Sequence, residues 1–115
     1  MSNSPTPLTP AMFNVLLALA GEDLHGYAIL KDVADQTAGE VQLSTGTLYG
    51  IIKRLLADGL IVEVRRRPAE NDDARRRYYH LTDAGREVAT AEARRMEKLV
   101  ARARTRQLIR ALKPL

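Results

Sequence analysis

The segment from Ser44 to Tyr79 changes its hydrophobic period from that of a helix to that of a strand, and no other part of the chain constrains the fold as much. Its large aliphatic residues first recur three and four positions apart, at Leu48, Ile51, Ile52, Leu55 and Leu56. That spacing predicts an amphipathic helix with one buried stripe. Ser44 is positioned to cap the helix N-terminus, and Gly59 is positioned to end it in the left-handed conformation. The helix is therefore predicted to run from Ser44 to Asp58 and to lead directly into strands.

Two short strands are predicted to follow this helix. Along the first, Leu60, Val62 and Val64 alternate with Ile61, Glu63 and Arg65. This period of two is typical of a half-buried strand. The second strand is predicted from Arg77 to Leu81, where Tyr79 and Leu81 share one face. The connection between them, residues 66–76, is polar and too long for a tight turn, so a solvated loop is expected.

Arginine triplets stand at the two ends of this loop. They are Arg65, Arg66 and Arg67 before it and Arg75, Arg76 and Arg77 after it. Antiparallel pairing of the strands brings these six cations into one small region. Like charges held that close repel one another, and an anionic partner is the simplest compensation. The alternative is a solvated loop whose charge Glu70, Asp72 and Asp73 neutralise in part.

The exposed face of the predicted 44–58 helix is polar and partly basic. Its candidate nucleic-acid contacts are Ser44, Thr45, Thr47, Tyr49, Lys53 and Arg54. Hydroxyl and cationic groups of this kind donate to phosphate oxygens or reach base edges in a major groove. Tyr49 has an alternative role as a half-buried packing residue. Gly50 is either a tolerated small residue or a position where DNA or another backbone comes close.

Two further helices are predicted before Ser44. Together with the predicted 44–58 helix they form the core of a helix-turn-helix. The first has Thr9 as its cap and Pro10 at its first position, and it stops at Gly21. Its apolar residues are Met12, Phe13, Leu16, Leu17 and Ala20. The second begins at His25 and Gly26, buries Ile29, Leu30 and Val33, and ends before Gly39. Tyr27 and Tyr79 are expected in the core, and residues 1–8 are expected to form a flexible arm.

A long helix is predicted from a cap at Thr82 to about Leu112. At about 1.5 Å per residue it spans on the order of 45 Å, too long to bury its apolar side against its own domain. Met96, Leu99, Val100 and Ala103 form a stripe that is predicted to pack against a second copy. Ala89 and Ala93 extend this stripe with small side chains, which permit either close packing or a cavity. The predicted fold is thus mainly α, of the α+β class: a winged helix-turn-helix at residues 9–81 with a two-stranded wing, and a C-terminal dimerisation helix at 82–115.

Composition narrows the classes of function. There is no cysteine, and the two histidines show no metal-ligand spacing. Carboxylate groupings and phosphate loops that indicate catalysis are not found, so we expect neither an enzyme nor a cofactor nor a metal. No apolar run is long enough to cross a bilayer, and a cytoplasmic protein is expected. Residues 1–85 carry nine Lys or Arg against eleven Asp or Glu, so the basic groups of the body are concentrated around the wing, as nucleic-acid binding requires.

Four motifs occur in the order and at the intervals found in the PadR family of bacterial transcriptional regulators, which the chain resembles from Thr9 onward. They are residues 24–29 (LHGYAI), 44–49 (STGTLY), 58–61 (DGLI) and 77–86 (RYYHLTDAGR). The single C-terminal helix resembles the smaller branch of that family, in which one long helix per subunit builds the dimer. The resemblance implies a homodimeric winged-helix repressor on a palindromic DNA operator, often relieved by a small aromatic or lipophilic molecule.

The resemblance also implies an effector pocket between the two long helices and the first helix. Its residues are Asn14, Val15, Ala89, Ala93, Met96 and Val100. A filled aliphatic interface is the alternative. The chain departs from the family at Gly50, where relatives commonly carry a larger residue, and in having no tryptophan as a platform for an aromatic ligand. A second hypothesis for function is a protein-interaction or RNA-binding winged helix without operator specificity.

Overall fold

Four helices and three short strands make up the part of the chain that the computed structural model describes, residues 8–65 and 76–110. They are α1 (Pro10–Gly21), β1 (Leu24–His25), α2 (Gly26–Gln36), α3 (Thr45–Ala57), β2 (Ile61–Val64), β3 (Tyr78–Leu81) and α4 (Asp83–Thr105). The winged helix-turn-helix architecture is confirmed, with α1, α2 and α3 as its helical core. The predicted arm and most of the predicted loop, at residues 1–7 and 66–75, lie outside the described residues.

Side-chain caps start the helices where the sequence predicts them. The hydroxyl oxygens of Thr9, Ser44 and Thr82 accept from backbone N–H groups three residues further on, at 3.1, 3.1 and 3.0 Å. Each of these bonds satisfies a donor that the first helical turn leaves without a partner. Gly59 ends α3 with φ +72°, and the N–H of Leu60 returns to the carbonyl of Leu55 at 2.9 Å. The predicted bounds of α3 are therefore confirmed.

The sheet has three strands in the order β1-β3-β2, all antiparallel; β2 and β3 form the predicted two-stranded wing, and β1 is a further strand that the sequence does not predict. The additional strand is β1, in which Leu24 lies opposite Tyr79 and His25 lies opposite Tyr78. A strand of two residues is too short to show a hydrophobic period, which is why the sequence pattern misses it. The pairing of β1 with β3 holds the start of α2 against the strand that follows the loop.

The core is aliphatic, and its fully buried side chains come from every helix of the helix-turn-helix and from β2. They are Val15, Leu16, Ile29, Val33, Leu48, Leu55 and Ile61. Three expectations about burial are corrected. Leu17 is exposed, because α1 turns Val15, Ala18 and Leu19 inward instead. Val62 is 41% exposed, because β2 buries the face that carries Ile61.

Tyr27 is the third correction. Its side chain is 67% exposed rather than part of the core, whereas Tyr79 is buried as predicted. The two tyrosines differ because Tyr79 lies on the central strand and Tyr27 on the first turn of α2, at the surface.

The final helix is shorter than predicted, ending at Thr105 rather than near Leu112. Gln107 adopts the left-handed conformation with φ +64°, and the N–H of Leu108 returns to the carbonyl of Ala103 at 2.9 Å. These are the features of a Schellman ending, here without glycine. At 23 residues the helix spans about 35 Å. None of the helices in the described ranges, 8–65 and 76–110, has the length and apolar character needed to cross a bilayer.

Candidate nucleic-acid interface

Helix α3 divides its side chains between the core and solvent as its sequence predicts, except that Leu56, a member of the predicted buried stripe, is exposed. Leu48, Ile52 and Leu55 are buried on one side, in the hydrophobic core that they share with residues of α1 and α2. The predicted contact residues are all exposed on the other side: Ser44, Thr45, Thr47, Tyr49, Lys53 and Arg54. Ser44 donates its hydroxyl to Thr47 Oγ1 at 2.9 Å while accepting from the Thr47 N–H. The helix therefore presents a rigid row of hydroxyl and cationic groups.

The basic residues of this face and of the wing are partly paired with carboxylates. Arg54 Nε lies 3.6 Å from Asp58 Oδ2, and Arg77 Nη1 lies 3.8 Å from Glu63 Oε1. Exposed pairs of this kind contribute at most about 1 kcal/mol, so a phosphate can compete for either arginine. Val64 and Tyr78 are the last pair of the β2–β3 ladder. Arg65 and Arg77 therefore lie next to this pair, where the two strands separate. The predicted contacts Arg66, Arg67 and Arg75 lie outside the described residues.

Tyr49 is both exposed to solvent and packed against a neighbouring helix. Its side chain is 51% exposed, yet the tip of its ring lies against the start of α2. A Cβ atom added to Gly26 would lie 2.9 Å from Tyr49 Oη and 3.3 Å from Cζ, so Gly26 provides the space that the ring occupies. Gly50, by contrast, faces open space, because no described atom beyond its chain neighbours and its own turns of helix backbone lies within 4 Å of the point that a Cβ atom would occupy there.

A cleft of about 430 Å³ lies between α3, the start of α2 and the base of β3. It is lined by His25, Gly26, Tyr27, Tyr49, Arg76, Arg77 and Tyr79. The sequence patterns miss His25 and Tyr27 as site residues, because only the pairing of β1 with β3 brings them beside Arg76. The pKa of the Tyr79 phenol is raised by burial, and further by the charge of Glu63. Tyr79 therefore remains a neutral phenol at physiological pH.

His25 is held in this cleft from several sides. Its Nδ1 caps α2 by accepting from the N–H of Ala28 at 3.2 Å. Its ring meets Tyr78 edge-on at 5.3 Å between centroids and lies nearly parallel to Tyr27 at 6.5 Å. On the open side, His25 Nε2 lies 3.2 Å from Arg76 Nη1.

The residues of the predicted dimer stripe and of its extension at Ala89 are unevenly exposed along α4. Ala89 is buried and Met96 is half-buried against the core, whereas Leu99 is 46% and Val100 40% exposed. Ala103, the last residue of the stripe, is half-buried.

The residues of the predicted effector pocket are not equally accessible. Val15 is fully buried in the core of the single subunit. Ala89 is also buried. Asn14 donates its side-chain amide to the carbonyl of Pro10 at 2.9 Å and lines a groove of about 350 Å³ between α1 and α2. Ala93, Met96 and Val100 retain accessible surface on α4.

A winged helix with an exposed, hydroxyl-rich recognition helix and a basic wing base defines a class of DNA-binding regulators. Residues 15–91 match the transcriptional regulator PadR-like family, and the chain belongs to that family. It is 34% identical to the transcriptional regulator Rv3488 of Mycobacterium tuberculosis over 86 residues, which is 75% of each chain.

Two further proteins resemble most of the chain. An uncharacterised 37.1 kDa protein of a Streptomyces fradiae transposon is 42% identical over 92 residues, 80% of this chain but only 24% of the longer relative. The crystal structure of a PadR family transcription regulator from Clostridium difficile R20291 superimposes with a TM-score of 0.65. That match has 24% identity and covers 85% of this chain and 97% of the other, which supports the winged-helix fold.

Proposed function

We propose that this PadR-like regulator binds double-stranded DNA as a homodimer and represses transcription from a palindromic operator. The observation that carries the proposal is the exposed row on α3, which adjoins a cleft whose charged lining residues are arginines. A surface with this distribution of donors suits the phosphates and base edges of one groove. It favours DNA over the alternative of a protein-interaction or RNA-binding module. As a DNA-binding regulator, the protein would act in the cytoplasm.

In the proposed complex, α3 of each subunit enters the major groove, and the wings lie on the flanking backbone. Thr45, Thr47 and Tyr49 are positioned to reach base edges and phosphates. Electrostatic attraction would come from Lys53, Arg54, Arg65, Arg66, Arg67, Arg75, Arg76 and Arg77, of which Arg66, Arg67 and Arg75 lie outside the described residues. Phosphate contacts supply affinity, and base contacts supply sequence preference.

The dimer is proposed from the free part of α4. Leu99 and Val100 together expose apolar surface on a helix that extends beyond the body it packs against. Exposed apolar surface at the same place in every copy is covered most simply by a two-fold related copy. The proposed interface residues are Met96, Leu99, Val100 and Ala103, and two-fold symmetry brings two copies of α3 to successive grooves.

Binding assays with paired variants test the DNA-binding proposal. Thr47→Val and Tyr49→Phe each remove one hydroxyl from α3, and we expect each to weaken binding to the preferred site about tenfold while changing binding to random duplex little. Arg65→Gln should instead weaken both duplexes equally and reduce the slope of log K against log salt by about one.

The measurement is fluorescence anisotropy with DNA from upstream of the gene and with random duplex, at several salt concentrations. Lys31→Gln is the matched control, because Lys31 is an exposed cation on α2 paired with Asp35 at 3.6 Å. A wild-type protein that binds both duplexes equally well would exclude operator recognition.

We also propose that a small aromatic or lipophilic effector binds at the dimer interface, beside Asn14, Ala93, Met96 and Val100. Met96→Trp should then fill the pocket and abolish the thermal shift caused by a ligand, while DNA binding without ligand stays near normal. Thermal unfolding with a panel of planar aromatic cations and phenolic acids measures this. If the interface is packed, the larger side chain should destabilise the dimer by about 1 to 3 kcal/mol. That result, with no wild-type shift from any compound, would contradict the pocket.

A further inference from the structure

The cleft beside α3 is lined by hydrogen-bond donors and has no carboxylate among its described lining residues. Imidazole, guanidinium and phenol groups contribute these donors: His25, Tyr27, Tyr49, Arg76, Arg77 and Tyr79. Arginine donates only, and a phenol donates readily to an anionic oxygen. The cleft therefore has the chemistry of a site for an anionic acceptor.

The tautomer of His25 follows from its position as the cap of α2. Its Nδ1 accepts from the N–H of Ala28, so Nδ1 carries the lone pair in the neutral ring. A neutral imidazole has one N–H, which must then be on Nε2. Nε2 is consequently a donor, and it points into the cleft toward Arg76.

Two donors thus meet where a hydrogen bond would need one donor and one acceptor. His25 Nε2 and Arg76 Nη1 lie 3.2 Å apart, and a guanidinium cannot accept whatever else it contacts. Neither group can satisfy the other, but both can donate to a single oxygen atom that lies within reach of the two nitrogens. The ring cannot easily turn away, because the Ala28 bond, the edge contact with Tyr78 and the β1–β3 pairing hold it.

We propose that His25 and Arg76 jointly bind a non-bridging oxygen of one DNA backbone phosphate. Tyr49 lines the same cleft and lies on α3, so this phosphate belongs to the backbone that borders the groove read by α3. A phosphate oxygen carries the negative charge and the lone pairs to accept from two converging donors. The inference rests on the proposed DNA-binding function and assigns His25 a role in it as a phosphate contact.

His25→Asn is the variant that isolates this contact. Asparagine is a good helix cap, so it keeps the acceptor for the Ala28 N–H, but it lacks the donor at the position of Nε2. The formal charge of the neutral ring does not change. We expect the variant to melt near the wild-type temperature and to bind both the upstream site and random duplex about tenfold more weakly.

Methylphosphonate scanning of the footprinted site identifies the phosphate. Each duplex replaces one charged phosphate oxygen by a methyl group, and both proteins are titrated against the whole series. At one phosphate per half-site, the wild type should lose at least tenfold, and the loss of His25→Asn should be about tenfold smaller than that of the wild type, because only the Arg76 contact remains to be lost. At the other phosphates, the fold loss caused by the substitution and the fold loss caused by the methylphosphonate should be independent and therefore multiply. Arg76→Gln should show a smaller loss at the same phosphate. This variant replaces His25→Asn in the test if His25→Asn is unstable.

The possible outcomes separate this inference from the function on which it rests. Two results would contradict the phosphate contact. In the first, His25→Asn binds every duplex like the wild type. In the second, the fold loss in affinity caused by the variant multiplies with the fold loss caused by the methylphosphonate at every position. If the wild type prefers no sequence, operator recognition fails. In that case the comparison of His25→Asn with the wild type on random duplex still decides whether His25 contacts DNA.

Discussion

A protein carrying both Leu99→Glu and Val100→Glu is expected to be a folded monomer that has lost about a thousandfold in affinity for a two-half-site operator. Both side chains are 40 to 46% exposed in the single subunit, so charging them costs the fold little. In the proposed dimer they are buried, and two carboxylates facing two others without partners prevent association. A monomer loses the gain of binding two half-sites at once, which is of the order of 10² to 10⁴.

The matched control is Thr90→Glu with Ala91→Glu. These residues lie nine positions before Leu99 and Val100, about half a turn around the helix, and both are exposed. The control adds the same charge to the same helix on its opposite face. Light scattering should find it dimeric and the stripe variant monomeric, with equal circular dichroism. A stripe variant that remains dimeric at micromolar concentration would mean that the dimer contact lies elsewhere.

The faces of α3 are predictable because everything that determines them is local. The aliphatic spacing, the Ser44 cap and the Gly59 stop all lie within 16 residues, and each acts on the helix itself. The Schellman ending of α4 has the same geometry as that of α3, with Gln107 in place of Gly59. Glutamine adopts the left-handed conformation at a cost in free energy, and unlike glycine it is not a signal in the sequence that a helix ends. The helix therefore ends at Thr105, before the end predicted near Leu112.

The cleft is not predictable from local pattern, because it is assembled by pairing between residues far apart in the chain. His25 and Arg76 are 51 positions apart, and β1 brings them together through a strand of only two residues. The sequence identifies His25 as the start of a helix, and the structure confirms that role. The sequence does not predict the role of the other ring nitrogen. The capping bond at Nδ1 makes Nε2 a donor, and the pairing of β1 with β3 determines which residue this donor faces. One side chain thus links helix initiation to the proposed phosphate contact.

The junction between β3 and α4 shows a similar dependence on a long-range contact. Gly85, in the first turn of α4, packs on the backbone of Leu60, and a Cβ atom there would overlap the Leu60 carbonyl and approach Leu81 Cδ1 to 2.7 Å. That carbonyl accepts from the N–H of Thr82 at 3.1 Å, and the Thr82 hydroxyl donates to the carbonyl of Gly59 at 2.7 Å. These two hydrogen bonds, one from the backbone and one from the side chain of Thr82, fix the start of α4 against the end of α3, and neither side can move away without breaking them.

Gly85→Ala is consequently expected to destabilise the protein by about 3 kcal/mol, at the upper end of the cost of overpacking. For a domain of this size that corresponds to a fall in melting temperature of roughly 10 to 20 °C. Gly50→Ala is the matched control, because it makes the same change inside a helix where no described atom beyond its chain neighbours and its own turns of helix backbone lies within 4 Å. It should stabilise the protein by up to about 1 kcal/mol, since alanine is the better helix former. Thermal and urea unfolding at one protein concentration measure both variants, because dimerisation makes the midpoint concentration-dependent. Equal midpoints for the two variants would mean that α4 does not pack against the Leu60 carbonyl as closely as the structure shows.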